Sequence, residues 1–195
     1  MATTLLLARH GETDWNREHR LQGWADPPLN ELGRAQAHEL AASLDGTRID
    51  AVYASDLQRA SETANIVAEE LLLSVVEDRS LREVDLGSWS GKLRDDVIGL
   101  TRPDGESREQ LRARVVAGML RIAAAHPGQT ILVVSHGGAL RALETYATGR
   151  EPRALANCET FTMCAEDGRL WLVEPAAEAP PREPEADDAE ALDRG

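Results

Sequence analysis

The chain has 195 residues, of which 42% are hydrophobic, and carries a formal net charge of −13 at pH 7. This length and composition suit one globular domain with a full core. The negative charge argues against nucleic acid and anionic membranes as partners, because both are themselves negatively charged. The two cysteines, Cys158 and Cys164, show neither a disulfide framework nor metal-ligand spacing.

The two ends of the chain differ in composition. The first apolar run, residues 5–8, is too short for a signal peptide or a membrane span, so we expect a cytoplasmic protein. Residues 176–195 hold seven acids against two arginines, with three prolines and no aromatic residue. Such a segment buries too little apolar surface to offset its ordering entropy. We expect a folded domain over residues 1–175 and a disordered acidic tail over residues 176–195.

Six short runs of aliphatic or β-branched residues predict strands. They span residues 3–8, 51–54, 74–76, 130–134, 160–163 and 170–173. A turn sequence, Glu166-Asp167-Gly168, separates the last two runs, which are therefore predicted to form an antiparallel hairpin.

Between these strands, apolar residues recur at helical spacing and predict four helices. The first follows Asn30, and the second follows the pair Ser55-Asp56; all three are residue types that favour helix N-caps. The inward positions of the first helix are predicted to be Leu32, Ala35, Leu40 and Leu44. The inward positions of the second are predicted to be Leu57, Ala60, Ala64, Val67, Ala68 and Leu71.

A capping box and a glycine pair introduce the other two helices. Ser107 and Gln110 have the capping-box spacing. The inward positions of this third helix are predicted to be Leu111, Val115, Met119, Ile122 and Ala123. The fourth helix follows Gly137-Gly138 and turns Ala139, Leu140 and Leu143 inward.

Strands that alternate with helices of this length predict an α/β fold, a three-layer α/β/α sandwich with a mainly parallel sheet and an antiparallel border strand. Right-handed crossovers place every strand-to-helix turn of the parallel part at one edge of the sheet. Ligands of such folds bind at the carboxyl ends of the strands. The functional site is therefore expected at that edge.

Polar residues follow four of the predicted strands. Arg9 and His10 follow the first, Arg59 lies in the first turn of the helix after the second, and Glu83 comes after the third. His136 follows the strand 130–134. Taken singly, each residue is as well explained as a loop, surface or structural residue. Together they predict a phosphoryl-transfer site, in which arginines neutralise phosphate oxygens, a histidine attacks phosphorus and a carboxyl group protonates the leaving oxygen.

These residues belong to motifs that resemble the histidine phosphatase superfamily, in its phosphoglycerate-mutase-like branch. The resemblance covers about residues 3–173. The motifs that carry it lie at residues 7–16, 22–24, 29–33, 55–64, 81–83 and 135–138.

The resemblance implies roles for nine residues. His10 would carry a phosphohistidine intermediate, and its tautomer would be set by a backbone carbonyl that accepts from its other ring nitrogen. Glu83 would protonate the leaving group and then activate water. The residues expected to bind the substrate phosphate are Arg9, Asn16, Arg59 and His136. The residues expected to border the substrate are Gln22, Gly23 and Gly137.

One departure from the family concerns the segment 92–102, where members often carry a longer insertion that covers the site. A short cap admits water and favours hydrolysis over mutase transfer. The expected function is a metal-independent phosphomonoester phosphatase that needs no cofactor and acts on a small-molecule phosphate ester. A 2,3-bisphosphoglycerate-dependent phosphoglycerate mutase is the alternative, and a non-catalytic binding module on the same fold is a third hypothesis. The physiological substrate stays open, as does homodimerisation through the edge strand of the sheet.

Overall fold

The computed structural model describes residues 1–174, so the predicted tail at 176–195 lies outside the described residues. A six-stranded sheet runs through its centre, in the order β3-β2-β4-β1-β5-β6. The strands are β1 (Thr3–Arg9), β2 (Ala51–Ala54), β3 (Val75–Glu77), β4 (Thr130–Ser135), β5 (Thr160–Glu166) and β6 (Arg169–Leu172). All six predicted strands are confirmed, with ends that differ by at most three residues.

The sheet is parallel from β3 to β1 and antiparallel beyond it. β5 runs against β1, and β6 pairs with β5 at the border. The predicted hairpin is confirmed: Asp167 and Gly168 both have positive φ, 49° and 74°, as a two-residue hairpin turn of type I′ requires. The reversed strand β5 therefore lies one position inside the border.

Within residues 1–174, five α-helices connect or follow the strands. They are α1 (Asp14–Arg17), α2 (Glu31–Ser43), α3 (Gln58–Glu70), α4 (Arg108–Ala125) and α5 (Gly137–Thr148). The predicted caps of α2 and α4 are confirmed. Asn30 Oδ1 accepts from the Gly33 amide at 2.8 Å, and Ser107 forms the capping box with Gln110. No helix within residues 1–174 is long and apolar enough to cross a membrane.

Two hydrophobic cores lie on opposite faces of the sheet. On one face, α4 and α5 pack against alternate residues of β1, including Leu5 and Leu7. On the other face, α2 and α3 pack against Ala8 and against residues of β2 and β4. This confirms the three-layer α/β/α arrangement, because the alternating side chains of the central strands point to both faces.

The predicted inward face of α2 is wrong at its first turn. Leu32 is 52% exposed and Ala35 also faces solvent. The buried positions begin instead at Gly33, where a Cβ atom would lie 2.1 Å from the Glu12 carbonyl oxygen. Because the helix approaches the chain after β1 this closely, only a glycine fits there, and the larger Leu32 turns outward.

The predicted cap of α3 is also wrong. Its N-cap residue is Leu57, which makes no side-chain cap. The Asp56 carboxylate binds both Nε and one terminal nitrogen of Arg82, at 2.6 and 2.7 Å. The Gln58 amide at the helix start donates instead to Asp26 Oδ1 at 2.8 Å. A carboxylate from another loop thus replaces the local cap.

Candidate active site

Three parallel strands bring the predicted site residues to one edge of the sheet. Arg9 ends β1 and is aligned with Ser135 at the end of β4, so His10 and His136 follow on neighbouring strands. Their ring centroids are 5.2 Å apart. β2 lies on the other side of β4 and leads into α3, which carries Arg59 in its first turn. The predicted convergence at the carboxyl ends is therefore observed for these four residues.

His10 is buried and has a defined tautomer. Its Nδ1 lies 2.6 Å from the Gly11 carbonyl oxygen. Since a carbonyl can only accept, Nδ1 must carry the hydrogen in the neutral ring, and Nε2 keeps its lone pair. The backbone around it is held from both sides: Asn157 donates to the His10 carbonyl, and the Gly11 amide donates to Thr63 Oγ1.

Both histidines favour the neutral form. Burial lowers the pKa of His10 well below 6.5, and the positive charges of Arg59 and Arg9 lower it further. Burial likewise lowers the pKa of His136, with Arg59 as the next contribution. Neither ring nitrogen of His136 has a hydrogen-bond partner among residues 1–174. A buried histidine with both nitrogens free is suited to contact a ligand.

Arg59 is completely enclosed, with 1% of its surface exposed. Its two terminal nitrogens donate to the carbonyls of Gly23 and Ala25, each at 2.9 Å. Its Nε has no partner within the described part of the chain. Burial lowers the pKa of Arg59 to about 10, so the guanidinium still carries its charge at neutral pH. The structure thus places Gly23 behind the arginine, where its backbone orients the guanidinium.

Arg9, at the end of β1, contacts the loop between α5 and β5. Nη1 donates to the Leu155 carbonyl at 2.6 Å, whereas Nε is buried and has no partner in residues 1–174. A Cβ atom at Gly137 would lie 3.6 Å from Arg9 Nε and 3.3 Å from Arg141 Nη1. Gly137 therefore borders the arginine, as predicted. Arg141 is a second cation beside it that the sequence interpretation did not include.

The Glu83 carboxylate is held at the start of α5. Oε2 accepts from the Gly138 amide and Oε1 from the Val84 amide, both at 2.8 Å. A Cβ atom at Gly138 would lie 2.1 Å from Oε1, so a larger residue would displace the carboxylate. These contacts bring Glu83 to the turn that begins with His136. The sequence interpretation included Gly138 in its motif but missed this role.

Asn16 and Gln22 have different surroundings. Asn16 closes the capping box of α1, where its Oδ1 accepts from the amide and the hydroxyl of Thr13, each at 3.1 Å. Its side-chain oxygen is therefore directed to the helix cap rather than to the two histidines. Gln22 is buried next to Gly23, and its Oε1 has no partner in the described residues.

Two further residues contact the backbone of Glu83. Trp24 Nε1 donates to the Glu83 carbonyl at 2.7 Å, and an Arg114 terminal nitrogen donates to the same oxygen at 3.1 Å. Side-chain contacts with a backbone carbonyl leave no pattern of spacing or composition. Sequence reasoning therefore missed Arg114, and it included Trp24 in the motif at residues 22–24 without this role.

The short segment 92–102 lies beside residues 19–21. The Leu21 amide donates to the Lys92 carbonyl, and the Arg94 amide donates to the His19 carbonyl. Val97 is buried, but Ile98 and Leu100 are 70% and 63% exposed. The segment contains one turn of 3-10 helix, at Asp95–Val97.

Comparisons with known proteins agree with this geometry. A sequence model of the histidine phosphatase superfamily (branch 1) matches residues 5–174. The chain is 36% identical over 190 residues to phosphoglycerate mutase-like protein 4 of Arabidopsis thaliana. This match covers 87% of this chain and 83% of the relative. It is 35% identical over 158 residues to the uncharacterized phosphatase PhoE of Bacillus subtilis (strain 168), covering 77% and 80%.

A solved structure is similar over nearly the whole described chain. Mycobacterial glucosyl-3-phosphoglycerate phosphatase, in complex with VO3, superposes with a TM-score of 0.79 at 28% identity. The match covers 89% of this chain and 99% of that one. The resemblance that the sequence motifs indicated is thereby confirmed, and so is the α/β fold.

Proposed function

Because the chain belongs to the histidine phosphatase superfamily, we propose that it hydrolyses a small-molecule phosphate monoester through a phosphohistidine intermediate on His10, without a metal ion. The observation that carries this proposal is the set of contacts around His10. The bond from Nδ1 to a carbonyl leaves the lone pair on Nε2, near the buried Arg59 and the half-buried Arg9, whose charges both act on His10. A dianionic phosphoryl group matches that charge.

The chemistry proceeds in two transfers. In the first, Nε2 of His10 bonds to phosphorus while the bond between phosphorus and the ester oxygen breaks, and the Glu83 carboxyl group gives its proton to that oxygen. In the second, water attacks phosphorus, Glu83 takes its proton and the bond between phosphorus and nitrogen breaks. Arg9, Arg59 and His136 stabilise the phosphoryl oxygens in both steps.

A phosphate-release screen over a panel of phosphorylated metabolites tests the proposal. We expect turnover by the wild type, loss of turnover in His10→Ala, and no effect of a metal chelator. Brief incubation with a labelled substrate should give an acid-labile, base-stable label on the wild type. Activity that survives in His10→Ala would contradict the mechanism.

A phosphoglycerate mutase is the second candidate, favoured by the relative named phosphoglycerate mutase-like protein 4. The short segment 92–102 supports hydrolysis instead, because a smaller cover over the site would give water easier access to the phosphohistidine. Incubation with 3-phosphoglycerate and a trace of 2,3-bisphosphoglycerate separates the two functions: a mutase yields 2-phosphoglycerate, whereas a phosphatase yields free phosphate.

A further inference from the structure

We propose that Arg114 is a positioning residue for Glu83: by binding the backbone that carries this carboxylate, it sets the direction from which the leaving group receives its proton. The inference rests on the proposed function and adds to it a residue of α4 that lies outside the motifs that carry the family resemblance.

The backbone before Glu83 depends on side chains for its hydrogen bonds. One terminal nitrogen of Arg114 donates to the carbonyls of Ser80 and Arg82, each at 3.0 Å, and the other donates to the Glu83 carbonyl at 3.1 Å. The intervening Leu81 carbonyl accepts from Ser135 Oγ at 2.7 Å. Four consecutive carbonyls are thus bound by side chains, three of them by Arg114. Because half-buried carbonyls need partners, loss of this arginine leaves the Ser80 and Arg82 carbonyls without a donor in residues 1–174 and the Glu83 carbonyl with Trp24 Nε1 only, so that the segment is held less firmly.

Arg114 is itself held rigidly. Its Nε and one terminal nitrogen form a two-point contact with the Glu106 carboxylate, at 2.8 and 2.6 Å. The side chains of Arg114 and Glu106 are 22% and 13% exposed. One turn further along α4, a Cβ atom at Gly118 would lie 2.2 Å from Ser80 Oγ. The helix is therefore in direct contact with the segment that it orients.

The position of Glu83 is sensitive to such movement. Its two carboxylate oxygens accept from the Val84 and Gly138 amides, one on its own segment and one on α5. A shift of residues 80–83 relative to α5 breaks the second contact and moves the carboxylate away from the pocket. Displacements of about 1 Å can cost around a hundredfold in rate.

The test measures kcat/KM for phosphate esters whose leaving groups range from 2,4-dinitrophenol through 4-nitrophenol and phenol to glycerol. This parameter reports the phosphoryl transfer to His10 and not the later hydrolysis. Good leaving groups need no proton, whereas alkoxides do. A variant that misplaces Glu83 therefore loses activity only toward poor leaving groups, by up to the 10²–10⁴-fold typical of general acid catalysis.

We expect Arg114→Lys and Arg114→Met to lower kcat/KM for glycerol phosphate by about tenfold and about a hundredfold, and to leave dinitrophenyl phosphate almost unchanged. Arg121→Met is the matched control. Arg121 lies on the same helix and binds Asp78 and Ser80 Oγ, but it does not contact Glu83. The ratio of kcat/KM in Arg121→Met to that in the wild type should be the same for every leaving group.

A double-mutant cycle completes the test. In a Glu83→Gln background, Arg114→Lys should not lower kcat/KM for glycerol phosphate any further. The glutamine amide cannot donate a proton to the leaving group, so its position no longer matters. Equal losses for all leaving groups, or additive losses in the double variant, would overturn the positioning role of Arg114 but not the proposed function. A wild type that hydrolyses none of the esters would overturn the proposed function and this inference with it. Lys at position 114 keeps the charge, so the test does not depend on folding of the Met variant.

Discussion

His10 and His136 are two buried titratable side chains beside two arginines, and both are kept neutral. Burial is the first cause of their lowered pKa values, and the positive charge of Arg59 is the second. Neutral His10 retains its lone pair at pH values where an exposed histidine is already protonated.

We expect the free energy of unfolding to fall as the pH drops below about 6.5, the value for a histidine in the unfolded chain. Below that pH the unfolded state binds a proton at each of these histidines, whereas the folded state does not until its lower pKa is reached. Their contribution is therefore complete above about pH 6.5 and is lost in the acid range, by at most about 1.4 kcal/mol per pH unit for each histidine. Urea unfolding between about pH 5 and pH 7 measures this slope.

The control separates the histidines from the many carboxylates of the chain. His10→Gln should give a shallower slope than the wild type, since one buried imidazole is gone. His38→Gln should not, because His38 is an exposed residue of α2. Equal slopes in His10→Gln and the wild type would show that the folded protein protonates His10 as readily as the unfolded chain does.

The residues of the site were predictable from sequence to different degrees. Arg9, His10, Arg59 and His136 occur at strand ends and converge as that placement predicted. Their roles stay predictions. The role of Gly138 and the residue Arg114 were missed because their contacts with Glu83 are made by a backbone amide and with a backbone carbonyl. Such contacts depend on the path of the chain in space, which residue types do not record.

At the scale of elements, α2 lies directly against the loop after β1, the loop that begins with His10. A Cβ atom at Gly11 would lie 2.4 Å from the Gly33 carbonyl oxygen, and one at Gly33 would lie 2.1 Å from the Glu12 carbonyl oxygen. The two glycines let a helix rest directly on the backbone that follows His10. This close approach also explains why the apolar pattern of α2 predicted the wrong inward positions in the first part of the helix. The pattern counted large side chains, whereas the contact is made by a residue that has none.

Gly33→Ala is therefore expected to destabilise the protein by about 1–3 kcal/mol, the usual cost of overpacking. Within an unhindered helix the same change stabilises a protein by roughly 1 kcal/mol. The sign of the change in the free energy of unfolding therefore tells whether position 33 is crowded. We also expect kcat/KM to fall about tenfold, because the displaced loop carries His10. Urea unfolding and ester hydrolysis measure the two effects. Ala35→Leu, which adds bulk on the exposed face of α2, should change neither.

At the scale of the whole molecule, the alternation of strands and helices was enough to predict the layers and the edge that carries the site. The charge of the chain adds a feature that the fold does not explain. The formal net charge is −13, and residues 176–195 contribute −5 of it, which leaves −8 for the rest. A substrate that carries a phosphate dianion is repelled by this charge at long range, although the arginines attract it on contact. Long-range repulsion of this kind depends on salt, since the screening length is about 30 Å at 0.01 M and about 8 Å at 0.15 M.

We expect kcat/KM for a phosphate ester to rise as salt increases from about 0.01 M to about 0.15 M. Replacing the seven acidic residues of 176–195 by their amides brings the formal net charge from −13 to −6. This variant should exceed the wild type about two- to threefold at low salt and equal it at about 0.15 M, because screening removes the difference. A variant with the order of residues 176–195 shuffled keeps the charge and should behave as the wild type does. A kcat/KM that falls with salt in all three proteins would mean that the local field of the arginines, and not the net charge, governs how the substrate approaches His10.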